Sequence, residues 1–180
     1  MGFWTQTNQL YAFNYLLGDG LSPYGAAGLV SRWANVESTA NGPTAINRRS
    51  GAFGIAQWLG SRLPPIRGNT NFDSQLAYAV RELNGSESRA GNILRSAGSP
   101  DEGARGASVY ERAEGYNPST GRDNFTARTA QGIPAILALA GNRVGSVSSW
   151  GDGVTPAAGS IVAVVVVGAL TLFLLDWWLD

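Results

Sequence analysis

Any chemistry this chain performs has to come from carboxylates. It contains no histidine, no cysteine and no lysine, and its thirteen basic residues are all arginine. That excludes thiolate and imidazole nucleophiles, a Ser-His-Asp triad and an ordinary zinc site. It also excludes a Schiff base, a Ser-Lys dyad and a P-loop lysine. Thirteen acidic residues balance the arginines, so no net field draws in nucleic acid and no nucleic-acid partner is expected. No cofactor or metal-ligand residue is assigned, and the carboxylates leave room only for an oxygen-ligated metal. The absence of cysteine is compatible with either side of a membrane.

Among the carboxylates, Glu37 has the most telling position. Leu29, Val30, Trp33 and Val36 form the apolar stripe of a helix opened by the cap and first-turn proline Ser22-Pro23, and Glu37 continues that stripe. Its carboxyl should leave the helix end beside apolar side chains, where burial raises its pKa and keeps it protonated for general-acid work.

The elements needed to hold it are helical. Leu10, Phe13 and Leu17 recur at helical spacing up to Gly18, and Leu76, Ala79, Val80 and Leu83 define a helix over Phe72–Leu83 closed by Asn84-Gly85. Ser86 caps a helix carrying Ile93 and Leu94, and Ser99-Pro100-Asp101-Glu102 opens another through Ala113. Residues 39–51 read as a loop with room for a short hairpin, and the apolar run Phe53–Leu59 reads as a short helix. A last helix, Asp123–Ala140, is expected to break around Gly132 and Pro134. The chain is thus expected to be mainly α, with a helical domain over residues 1–140, a Gly/Ser-rich linker over 141–156 and a single C-terminal apolar helix over 157–178.

Motif order points to a family. Glu37-Ser38, a loop, then Ser50-Gly51-Ala52-Phe53-Gly54-Ile55-Ala56-Gln57-Trp58 resembles the lytic transglycosylases and phage-tail lysozymes. The resemblance continues through Gln75-Leu76-Ala77-Tyr78, Glu82-Leu83 and Tyr110-Glu111-Arg112, and covers roughly residues 10 to 135. It implies a lysozyme-like fold that cleaves the MurNAc–GlcNAc bond of peptidoglycan with Glu37 as acid. Ser38 would orient the carboxyl, and the amide of Gln57 would lie in the substrate cleft. Trp58 and Tyr110 would line a saccharide groove, and Tyr116 is similar to the tyrosine that transglycosylases keep near the acid. Asp73, Glu82 and Glu111 are all candidates for a second carboxylate. Attack by water and attack by the muramic acid 6-hydroxyl both remain open.

Ala157–Leu175 gives nineteen uncharged residues, eleven of them Leu, Ile, Val or Phe, followed by Trp177 and Trp178. Such a segment is long enough to span a bilayer or to pack inside an apolar channel. Met1–Gln6 lacks the basic and apolar regions of a secretory signal. The expectation is a membrane-anchored virion protein, from an internal membrane or a tail and entry apparatus, that contacts other virion proteins and works in the host periplasm during genome entry. The alternative is an inactive lysozyme-like module that binds glycan or forms part of an entry channel.

Overall fold

The structure, a computed structural model, describes residues 2–147. Six α-helices make up most of that span: α1 (Gln6–Gly18), α2 (Pro23–Arg32), α3 (Phe72–Asn84), α4 (Ser88–Ser96), α5 (Pro100–Glu111) and α6 (Thr126–Val147). Local chemistry starts several of them. The side chains of Thr5, Ser22, Asn71 and Ser99 each accept a hydrogen bond from the backbone N–H three residues on, and Pro23 and Pro100 occupy first-turn positions where no N–H is needed.

Helix α2 forms the axis of the domain and packs on α1, α4, α5 and α6. Ala26, Ala27, Leu29 and Val30 are wholly buried in that contact. Helix α2 meets α5 almost backbone to backbone: a Cβ on Gly28 would lie 2.4 Å from the Gly103 carbonyl oxygen, and one on Gly103 would lie 2.2 Å from the Tyr24 carbonyl oxygen. Only glycine permits so close a crossing, because ordinary side chains hold helix axes 8–10 Å apart.

Three elements differ from the sequence reading. Phe53–Leu59 is not a helix. Phe53 pairs antiparallel with Ile46 on one side and with Trp58 on the other, and the turn between uses positive φ at Gly54 (79°) and Gln57 (47°), which no α-helix accommodates. Helix α6 runs through Gly132 and Pro134 without a break and continues to Val147, past residue 140 where the linker was expected. Pro134 is exposed, so its ring is accommodated on the outer face of the helix. The N-cap of α4 is Glu87 rather than Ser86.

Among the described residues no helix is long and apolar enough to cross a membrane. The apolar segment 157–178, and with it most of the expected linker, lies outside the described residues.

Candidate active site

Helix α2 ends in an unusual way. Residues Trp33–Glu37 form a π-turn, closed by the Ser38 N–H donating to the Trp33 carbonyl at 3.0 Å. The wider turn brings residue i+5 over residue i, whereas an α-helix would swing it away. Arg32 Nε consequently donates to Glu37 Oε1 at 2.7 Å. The rest of the Arg32 guanidinium donates to both carboxylate oxygens of Asp123, at 3.0 and 2.8 Å. The side chains of Arg32 and Asp123 are fully buried, and that of Glu37 is 13% exposed.

Beside this cluster, the Trp33 indole N–H donates to Glu111 Oε1 at 2.8 Å. Glu111 is the last residue of α5. Arg112, which follows, takes a left-handed conformation (φ 49°) and makes two bonds to Glu87, so the end of α5 is held in a strained turn. Glu37 and Glu111 both line an open cleft of about 810 Å³, whose other walls include Asn35, Asn47, Gln57, Arg62 and Arg128. That volume suits several linked sugar-sized groups rather than a single ion.

The electrostatics separate the three carboxyls. Burial pushes Glu37 above the ordinary carboxylate value; the charge and hydrogen bond of Arg32 pull it back, and the charge of Asp123 adds to the rise. Burial and then the charge of Glu37 push Glu111 well above its ordinary value, over the opposing pull of Arg62, Arg32 and the Trp33 bond. Burial also works against an ionised Asp123. Even so, its bonds to Arg32, the Phe125 N–H and the Thr126 hydroxyl hold it below the usual range. Asp123 is therefore a fixed anion, while Glu37 and Glu111 are the groups available for proton chemistry.

A second polar cluster sits behind the cleft wall. Glu82 accepts from Arg62 at 2.8 and 2.9 Å, from the Trp58 indole at 2.8 Å and from the Tyr110 hydroxyl at 2.7 Å. The Arg62 guanidinium also lies over the Tyr110 ring, 4.4 Å from its centroid. Burial opposes ionisation of Glu82, but Arg62, Tyr110 and Trp58 together hold its pKa below normal.

The residues singled out in the sequence thus divide. Glu37 and Gln57 line the cleft. The Gln57 amide nitrogen is committed to the Gly54 carbonyl at 2.9 Å, so it fastens the turn on which it stands. Trp58 and Tyr110 are wholly buried and bonded to Glu82 rather than facing the cleft. Ser38 is buried, accepting from the Trp4 indole at 3.0 Å and donating to the Trp33 carbonyl, so it braces the π-turn from behind. Tyr116 packs half-buried against the core and is not among the residues lining the cleft. Of the candidate second carboxylates, Asp73 is exposed and bonded to Tyr11, Glu82 lies behind the wall, and Glu111 alone lines the cleft.

Arg32 and Asp123 went unrecognised in the sequence. Arg32 did carry a signal, as the one charged residue between Asp19 and Glu37. Asp123 looks like an ordinary residue preceding a helix, and only the fold reveals its partner.

Helices packed around an open cleft with two carboxyls whose pKa values burial raises are consistent with a glycosidase-type domain with carboxylate chemistry. The family model for the phage tail lysozyme matches residues 7–134, and the chain belongs to that family of lysozyme-like, peptidoglycan-degrading phage proteins. The match runs from α1 into α6 and contains every residue of the cleft described above. Comparison with curated proteins and with solved structures returned no match.

Proposed function

We propose that this domain cleaves the MurNAc–GlcNAc bond of the peptidoglycan strand with Glu37 as general acid. The observation that carries this reading is the position of Glu37: it ends the π-turn, opens onto the cleft and has a carboxyl pushed upward by burial. A protonated Glu37 gives its proton to the glycosidic oxygen as the bond to the anomeric carbon breaks. The carboxylate left behind is met at once by the Arg32 N–H, already 2.7 Å away, so the charge that forms is stabilised without rearrangement. The anomeric carbon is then captured by water or by the 6-hydroxyl of the same muramic acid, whose proton passes to the cleft solvent; the first product has a reducing end and the second an anhydro end.

The apolar stretch of residues 157–175 supports membrane attachment, since eleven Leu, Ile, Val and Phe residues favour insertion by about 3–7 kcal/mol in total. With the domain tethered in this way, local opening of the wall during phage genome entry is the role we assign.

Glu37→Gln tests the acid. The amide keeps shape and hydrogen bonding but has no carboxylic proton, so the variant should fold and lose glycan cleavage by at least about a hundredfold. Mass spectrometry of the digested wall reads both rate and end chemistry. Undiminished cleavage by folded Glu37→Gln removes Glu37 from the mechanism. A wild-type chain that binds the wall and releases nothing makes the domain a glycan-binding module.

A further inference from the structure

The mechanism above uses one carboxyl, yet the cleft wall carries two. The hydrogen bond from the Trp33 indole is the only one that the Glu111 carboxyl makes among the described residues. The guanidiniums nearby are committed elsewhere. Arg32 spends its donors on Glu37 and Asp123, and Arg62 spends its donors on Glu82 and the Tyr110 carbonyl. One buried cation therefore serves two carboxylates, Glu37 and Asp123, and the third carboxyl has none. Arg112, next to Glu111 on the cleft, spends its donors on Glu87, and Glu114 and Arg128, the remaining charged groups at the rim, are exposed and opposite in sign, so solvent screens them. Ionising Glu37 and Glu111 together would place two like charges in one poorly solvated wall whose second cation, Arg62, already balances Glu82.

From this geometry we infer that Glu111 is the proton-holding partner of Glu37, so that the pair shares a single proton across neutral pH and Glu37 keeps access to its acid form where, alone, it would have ionised. The inference rests on Glu37 being the acid. It assigns Glu111 no contact with substrate; Glu111 acts through Glu37.

The consequence is thermodynamic. While the pair holds one proton, the ratio of protonated Glu37 to protonated Glu111 depends only on their surroundings and not on pH. The rate then runs level until the second proton leaves, and burial together with the charge of Glu37 delays that loss by pushing Glu111 well upward. In each turnover Glu37 passes its proton to the glycosidic oxygen, and a proton from the cleft solvent returns to the pair after the products depart. Without Glu111, Glu37 titrates singly, and its acid form declines about tenfold per pH unit above its own pKa.

The test is the pH–rate profile of the full chain on soluble peptidoglycan strands, for wild type, Glu111→Gln and Glu37→Gln. Glutamine keeps the acceptor for the Trp33 indole and mimics the protonated carboxyl, so the acid-side rate of Glu111→Gln should stay within about tenfold of wild type. On the alkaline side it should fall steeply where wild type stays level. Parallel profiles for the two proteins overturn the inference. So does a folded Glu111→Gln that is inactive even at acid pH, which would make Glu111 the donor itself. Activity in Glu37→Gln is a different failure, because it removes the acid on which the inference rests. If Glu111→Gln does not fold, wild type decides alone by infrared titration: one side-chain carboxylic C=O band should persist through neutral pH, and its absence overturns the inference.

Discussion

Replacing Arg32 with methionine exposes the energetics of the site most directly. Met keeps much of the length and apolar stem but deletes the cation, leaving the fully buried Asp123 carboxylate with only the Phe125 N–H and the Thr126 and Ser108 hydroxyls. Removing one member of a buried ion pair costs about 3–5 kcal/mol, because the survivor remains desolvated. Glu37 softens the loss by taking up a proton, so about 3–4 kcal/mol is expected. Against a total stability of about 5–15 kcal/mol this is large, and it corresponds to a fall in Tm of about 8–15 °C. Asp123→Asn in the same chain removes the stranded charge and should restore about half of the loss. The pH dependence carries a sign. In wild type the Asp123 pKa is depressed, so its contribution is present above the unfolded value and lost as pH falls through the folded one. The gap between wild type and Arg32→Met, read by urea unfolding followed with circular dichroism, should therefore narrow on acidification. A gap below about 1 kcal/mol at neutral pH, or one unchanged by acid, refutes the view that Arg32 is the counterion of the cluster.

Gly103→Ala should cost about 2–3 kcal/mol and lower the cleavage rate, since its Cβ meets the Tyr24 carbonyl and forces α2 away from α5; Gly18→Ala, with open space around it, should change stability by less than about 0.5 kcal/mol. Thermal unfolding of the two variants checks this, and equal melting would refute the tight crossing. A chain ended at Trp150 should remain in solution without detergent while the full chain floats with liposomes. Full-length protein that is monodisperse in plain buffer and does not float sinks the anchor.

The helices were legible where capping and periodicity agree locally. Ser99-Pro100-Asp101-Glu102 sets the start of α5, and the stripe of Leu76, Ala79 and Leu83 sets the buried face of α3. The hairpin was not, because a short apolar run such as Phe53–Leu59 has no decisive period. What decides it is distant: Gln75 of α3 accepts from the Ile55 N–H at 2.8 Å, and a Cβ at position 54 would run into that same amide. The site was half legible for the same reason. Glu37 announces itself through the stripe of its own helix. The commitment of Trp58 and Tyr110 to Glu82, by contrast, and that of Arg32 to Asp123, depend on partners 24 to 91 residues away in the chain. The π-turn is legible only afterwards, since nothing in Trp33–Glu37 distinguishes it from one more α-helical turn.

The glycine crossing between α2 and α5 also bears on the mechanics of the cleft. Each helix carries one of the two carboxyls near its C-terminal end, and at Gly28, Gly103 and Tyr24 the helices meet through peptide groups. Side-chain contacts yield by changing rotamer, whereas backbone held against backbone has no such slack. At that crossing the wall bearing Glu37 and Glu111 has no rotamer change by which to relax. The paired turn over 45–58 brings Asn47 and Gln57 to the same cleft from a segment without long helices, held by two isolated bridges and not by a backbone crossing of this kind.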